Sequence, residues 1–339
     1  MKFTSSLIIF SLSLFLSCQH ISAEKGAGNA SGDTLEAGDT ATRADNNMPT
    51  AGEELTIDLS EVTYSKEDSA QVELLLQKGL QEKGDTPLTL FYANQLMSIP
   101  YVSATLEVNP EEHLAINLTQ LDCTTLIENV MAFCLATQHQ STRFEDFCHW
   151  LQQIRYRDGK LDGYASRNHY FTQWVNSNTR MGLVQEIQGD ETDNHAPFTA
   201  NKTVDLHFMT SNTDKYPLLK KEKQQGLSKE PSSQTSLVRQ YEQEANGKVI
   251  RYIPKSILNK GKDVLGSVHD GDILALVTNK DGLDVTHLGL AVWGKDGKLH
   301  LLNASSIYHK VLLDPTPLHD YMAKRTYLVG IRVVRPKFQ

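Results

Sequence analysis

The sequence predicts an α+β fold. Apolar residues recur at helical spacing from Ser69 to Ile154, β-rich runs separated by turn residues fill the stretch after Gly271, and the chain changes character between the two. At 339 residues it can bury a substantial core, as one large or two ordinary domains. A formal net charge of −8, with no basic stripe to neutralise phosphates, argues against nucleic acid as a partner. There is no internal repeat and no nucleotide-binding glycine loop, and after the N-terminal leader no apolar run is long enough to span a membrane.

Met1-Lys2 and the apolar run from Leu7 to Leu16 have the n-region and h-region of a secretory signal, and the run is too short to span a bilayer. Two processing sites compete. Ser17 before Cys18 has the form of a bacterial lipoprotein box, whereas Ile21-Ser22-Ala23 has that of an ordinary signal-peptidase site. Lipidation at Cys18 is favoured because a tether-like segment follows. Residues 1–23 therefore read as leader, and residues 24–54, nearly devoid of large apolar side chains, as a flexible spacer. A single domain should occupy 55–339.

Within it, Val72, Leu74, Leu75, Leu76 and Leu80 mark a helix over Ser69 to Gln81. A second helix runs from Leu88 to Met97, stopped by Ser98-Ile99-Pro100 because proline disfavours helical backbone in the residue before it. The loop Tyr101 to Glu107 and strand-like Leu114 to Leu118 lead into a helix beginning at Asp122-Cys123. Phe144 to Ile154 is another, with Phe147, Trp150, Leu151 and Ile154 on one face. Tyr156 to Trp174, rich in Arg, His and aromatics, reads as a half-buried helix with cation–π packing. Gly189 to Lys202 is turn-rich, and Lys220 to Lys248 is charged and helical in part. Three strands follow over Gly271–Val277, Thr286–Trp293 and Leu299–Ser305, the last two joined across Gly294-Lys295-Asp296-Gly297, with Tyr327 to Val334 closing the sheet.

Cys123 is the residue this arrangement points to. Asp122 is a good N-cap, and Leu126, Ile127, Val130, Met131 and Phe133 continue at helical spacing. A cysteine at a helix start meets unpaired N–H groups and the positive end of the dipole, which favour a thiolate. Removing Cys18 leaves Cys123, Cys134 and Cys148, an odd number in an oxidising compartment, so at least one thiol stays unpaired. Cys134 and Cys148 read as buried small apolar residues, with a bridge between them the alternative. A catalytic thiol needs a base, and the base an acceptor to orient it. His287 and Asn303, on adjacent strands of the expected hairpin, suit these roles.

Taken together, the order of these features resembles the NlpC-type papain-like cell-wall hydrolases. Leu121-Asp122-Cys123-Thr124-Thr125, Pro100-Tyr101-Val102, Ser166-Arg167-Asn168-His169-Tyr170-Phe171 with Trp174, and Thr286-His287-Leu288-Gly289 narrow it to their N-acetylmuramoyl-L-alanine amidase-like branch. The resemblance covers about Leu88 to the C-terminus. It implies a papain-like core, a nucleophile-bearing helix packed on an antiparallel sheet, with a mostly helical insertion over about 156–262. It also implies a cysteine amidase, needing no cofactor or metal, that cleaves the bond between muramic acid and L-alanine in peptidoglycan or muropeptides. Cys123 would attack, His287 would protonate the leaving amine, Asn303 would orient His287, and Tyr101, Arg167 and His169 would hold the substrate. The place of work would be the periplasmic side of a bacterial envelope, with Cys18 as lipid anchor. Two positions depart from the pattern: Asn303 stands where the wider superfamily often has histidine, and Ala104 where glycine is expected. The rival readings are a stem-peptide endopeptidase with the same triad and an inactive wall-binding lipoprotein. A metalloamidase built on His287 and His300 lacks ligands at zinc spacing.

Overall fold

The computed structural model describes residues 55–337 apart from 108, 110 and 190–195. The expected leader, the Cys18 lipidation site and the spacer lie outside the described residues. In chain order, strand β1 (Val62–Thr63) precedes helix α1 (Lys66–Gln81). A capping box starts α1: the Ser65 side chain accepts from the Asp68 N–H and the Asp68 side chain accepts from the Ser65 N–H. Helix α2 (Leu88–Gln95) ends before Ser98, whose left-handed backbone (φ 70°) turns the chain into Ile99-Pro100. Strand β2 (Leu114–Ala115) pairs in parallel with β1 and leads to α3 (Cys123–Gln138) and α4 (Phe144–Arg155).

The stretch Tyr156 to Trp174, expected to be helical, is mostly not. Left-handed Asp158, Gly159 and Gly163 break it into two short 3-10 turns, and α5 begins only at Phe171, running to Arg180. Beyond it come β3 (Val184–Ile187), β4 (Ala200–Thr203), α6 (Phe208–Ser211), α7 (Pro217–Gln224), α8 (Gln234–Ala245), β5 (Val249–Pro254) and α9 (Lys262–Leu265). The segment 156–262 was expected to be mostly helical, yet it also contributes three strands to the sheet. Strands β6 (Ile273–Thr278), β7 (Val285–Trp293), β8 (Leu299–Ser305) and β9 (Lys310–Leu313), helix α10 (Leu318–Ala323) and strand β10 (Leu328–Pro336) complete the chain.

The main sheet has the order β4-β5-β10-β6-β7-β8-β9, with β3 also on β10, and every pairing in it is antiparallel. Strand β10 therefore lies inside the sheet rather than closing it. Gly330 permits that position, because a Cβ there would lie 2.2 Å from the Ile253 carbonyl oxygen on β5.

Both faces of the sheet are covered, which explains the unbroken apolar run of β6. Ile273 and Ala275 of β6, with Leu288, Leu290, Leu302 and Ala304, pack on the face that buries α3. Alternate residues Leu274 and Leu276, with Leu299 and Leu301, pack with Leu265, Leu318 and Met322 on the other. Helix α3 is buried along its length from Thr125 to Thr137. Within it Glu128 pairs with Arg155 of α4 at 2.7 Å, and Arg155 also donates to the Ala115 carbonyl at 2.6 Å. Removing one partner of so deep a pair would cost about 3 to 5 kcal/mol. Cys134 and Cys148 are free thiols buried in this core, as expected. No helix among the described residues is long and apolar enough to cross a membrane.

Candidate active site

Helix α3 presents its first residue to a cleft. Asp122 caps it, its carboxylate accepting from the Thr124 and Thr125 N–H groups at 3.0 and 2.8 Å, while the Thr125 hydroxyl oxygen accepts from the Asp122 N–H at 2.9 Å. Cys123, half-buried, therefore sits at a fixed point on the first turn. The Thr124 hydroxyl and the Leu288 backbone N–H both approach its sulfur.

The second partner comes from β7, whose ladder with β8 runs from Trp293–Leu299 to Leu290–Leu302. His287 lies three residues beyond that last rung, next to a bulge: Leu276 pairs with His287 but Val277 pairs with Val285, leaving Thr286 as the extra residue. Gly289 is required here, because a Cβ would lie 2.6 Å from Leu301 Cγ and 2.7 Å from the Leu302 carbonyl oxygen. His287 Nε2 lies 3.0 Å from Asn303 Oδ1 on β8, and Asn303 Nδ2 donates to the Leu301 carbonyl at 3.2 Å. The amide is thereby oriented with its oxygen toward the imidazole. Nε2 carries the proton, and Nδ1 is left as the basic nitrogen.

Cys123 and His287 line one cavity of about 150 Å³, which His169, Phe171 and Trp174 also line. Burial lowers the His287 pKa below its ordinary value, the Arg325 cation adds to that, and the Asn303 hydrogen bond opposes it. Burial likewise pushes the Cys123 thiol up to about 12, with the Asp122 carboxylate adding to the rise. The helix-start position was expected to favour a thiolate. Here the N-cap that places the cysteine also sets a negative charge beside it, and burial disfavours both the thiolate and the imidazolium.

The other expected residues separate. Tyr101 is held by N–H donation to the His309 carbonyl at 3.0 Å, and burial, then Cys123 and Asp122, raise its phenol to about 12. It stays a hydrogen-bond donor near the thiol. His169 lines the cavity as a neutral ring. Its Nε2 donates to the Tyr164 carbonyl at 2.8 Å, and burial with the neighbouring Arg167 cation keeps its pKa well below the usual range. Arg167 is buried, and its guanidinium is bonded to Glu107, lies 3.7 Å from Glu112 and is stacked on Tyr164. It is not among the residues lining the cavity. His300 is occupied elsewhere, at 3.0 Å from the Asp314 carbonyl and 3.2 Å from the Asp296 carboxylate.

Asp284 was not anticipated. It lines the cavity, is almost fully buried, and accepts from the Thr172 and Val285 N–H groups at 2.6 and 2.8 Å. Arg325 was missed as well. Its guanidinium stacks 3.8 Å over the Tyr321 ring and donates to the Tyr321 carbonyl at 2.5 Å. Neither residue has a sequence signal beyond an acid in a turn and a base after a short helix.

Residues 92–331 match the family model described as AmiA-like, N-acetylmuramoyl-L-alanine amidase-like. An N-acetylmuramoyl-L-alanine amidase from Bacteroides uniformis is 35% identical, with a TM-score of 0.63 over 74% of this chain and 98% of its own. A Bacteroides fragilis protein provisionally described as a xylanase is 38% identical, with a TM-score of 0.63 over 73% of this chain and 99% of its own. A Legionella pneumophila protein at 19% identity, TM-score 0.58, covering 80% of this chain and 95% of its own, shares the fold. The search of curated proteins returned no match. With the family model spanning most of the domain and these structures covered almost end to end, the chain belongs to the AmiA-like, N-acetylmuramoyl-L-alanine amidase-like family.

Proposed function

We propose that this protein is a cysteine amidase that hydrolyses the N-acetylmuramoyl-L-alanine amide of peptidoglycan fragments. The observation that carries this reading is a helix-start cysteine sharing one cavity with a histidine whose ring is fixed by a buried asparagine. With a neutral pair, the proton moves as the bond forms. Cys123 Sγ attacks the lactyl carbonyl, and His287 Nδ1 takes the thiol proton and then passes it to the departing alanine amine. The resulting thioester is hydrolysed by water, which gives a proton to the same nitrogen as it adds to the carbonyl; the C–S bond then breaks and that proton passes to the departing Cys123 sulfur, restoring the neutral pair. The Cys123 backbone N–H, at the helix start, and the Tyr101 phenol are the donors for the oxyanion.

The core is read as papain-like because the nucleophile helix packs on an antiparallel sheet that supplies histidine and asparagine from neighbouring strands. Export and lipidation at Cys18 belong to the same reading and rest on the leader sequence. Glycoside hydrolysis, suggested by the description of one relative, fits less well. Most glycosidases need two carboxylates flanking the bond, and Asp284, the acid lining this cavity, is already held by two backbone N–H groups. Mass spectrometry of products from defined muropeptides tests the proposal. The expected products are free N-acetylmuramic acid and an intact peptide with N-terminal L-alanine, none being formed by Cys123→Ala. Cleavage inside the stem peptide would instead establish an endopeptidase.

A further inference from the structure

Helix α5 separates two cavities. Phe171 and Trp174 face the active cleft, whereas Gln173, Asn176 and Arg180, spaced to share the opposite face, line a second cavity of about 60 Å³. Asn168, just before the helix, lines both. The second cavity is cationic: Arg157, Arg180 and Lys248 line it with one carboxylate, Glu244. Asp158 holds Arg180 at 2.6 Å from outside the lining, so three cations still face two carboxylates. Arg157 is preorganised, its guanidinium 4.1 Å over the Tyr241 ring and 2.5 Å from Glu244. Arg167 borders the cavity too, but Glu107 and Glu112 occupy its guanidinium.

We infer that this cavity is a subsite for a carboxylate on the peptide portion of the substrate, on the leaving-group side of the scissile amide. The identity of the ligand rests on the amidase reading above. A peptide leaving the cleft past Asn168 advances about 3.3 to 3.6 Å per residue, and a helix with side chains is about 10 Å across. Two or three residues beyond the amide therefore reach the second cavity. In a stem peptide the residues after L-alanine carry free carboxylates, which guanidinium and ammonium groups recognise by charge-assisted hydrogen bonds. N-acetylmuramoyl-L-alanine, with no further residue, cannot reach it.

The test compares that minimal compound with an N-acetylmuramoyl tripeptide. Affinities are measured by calorimetry on the Cys123→Ala protein, and KM and kcat on the Cys123 enzyme. Replacing Arg180 and Lys248 together by glutamine should weaken tripeptide binding about tenfold and remove most of its advantage over the minimal compound. Asn176→Asp, which adds a negative charge and removes no salt bridge, should act in the same direction if the double variant does not fold. Raised salt should reduce the wild-type advantage. An unchanged tripeptide affinity, equal losses for both compounds, or no binding of either would overturn the subsite. If the Cys123 enzyme hydrolyses neither compound while the charge variants still lose tripeptide binding, the amidase reading falls and the subsite stands.

Discussion

The Asp284 carboxylate accepts the Thr172 backbone N–H at 2.6 Å, so the loop before β7 caps α5 from outside the helix. Thr172 also receives a bond from Arg332 Nη1 to its hydroxyl at 2.8 Å, and Arg332 Nε pairs with Glu186 at 2.6 Å. This network fixes the wall carrying Phe171 and Trp174 against the strand carrying His287.

Asp284→Ala should therefore lower unfolding free energy by about 3 to 5 kcal/mol, because it removes the Thr172 cap and also a buried carboxylate 3.7 Å from the buried Arg332 guanidinium. It should also raise KM, because the cleft wall loses its register with β7. Denaturant unfolding and steady-state kinetics measure the two effects. A variant with lowered stability and unchanged KM would limit Asp284 to scaffolding.

Ala104 has a φ of 60°, the left-handed region where an L-residue with a Cβ is disfavoured. Glycine was expected at this position from the family pattern, and the backbone is the one glycine would adopt. Ala104→Gly should raise stability by about 0.5 to 1 kcal/mol, the steric relief exceeding glycine's added backbone entropy. A thermal or denaturant midpoint that falls would show that the loop holds alanine without strain.

The parts of the fold legible beforehand were those with a strong local period or cap. Helix α3 was evident from Asp122 and the apolar repeat, and the hairpin of β7 and β8 from Asp296-Gly297 between apolar runs. Strands β3 and β4 escaped notice because they are four residues long with polar centres, Gln185-Glu186 and Asn201-Lys202, whereas β5 is apolar enough to be a strand but follows directly on the charged stretch Lys220 to Lys248 that reads as helical in part. Their strand state is set by pairing with β10 and with one another, which is tertiary information. In the site, Cys123, His287 and Asn303 were readable from residue type and order. The burial that raises the Cys123 pKa is a property of the packed fold, and the engagement of Arg167 depended on Glu107, 60 residues away in the chain.

Arg167 bears on that point directly. Its buried guanidinium neutralises Glu107 and Glu112, which are themselves mostly covered. Arg167→Ala should cost about 3 to 5 kcal/mol of stability by leaving two carboxylates without their cation. Arg167→Lys should recover only part, since an ammonium cannot bridge both acids in a planar fork. Retention of wild-type stability with a raised KM would instead assign Arg167 to substrate binding.

The raised Cys123 pKa predicts the reactivity of the free enzyme. Carboxamidomethylation of Cys123 by iodoacetamide should be slow at neutral pH and still rising above pH 9, because the thiolate is the reacting form. Iodoacetate should react more slowly still, repelled by Asp122. A rate that levels off below neutrality would reveal an ion-paired thiolate and remove the neutral-pair mechanism.

His287 completes the argument through Asn303. Its pKa lies below the ordinary 6.5 because burial penalises the imidazolium. In the proposed mechanism the neutral ring is the base, so kcat/KM should hold as pH falls through 6.5 and decline only below it. Stability follows the same sign: the unfolded histidine binds a proton at higher pH than the folded one, so acid favours unfolding below the unfolded value. Asn303→Asp keeps the shape and an acceptor oxygen but places a carboxylate within hydrogen-bonding distance of Nε2. An adjacent opposite charge favours the imidazolium, so the acid limb of kcat/KM should move upward by about 1 to 3 pH units. Asn303→Ala, which removes the acceptor, should lower kcat without that shift, because the ring loses its fixed tautomer. A pH profile of the aspartate variant superimposable on the wild type would show that His287 is not the group whose protonation sets the acid limb.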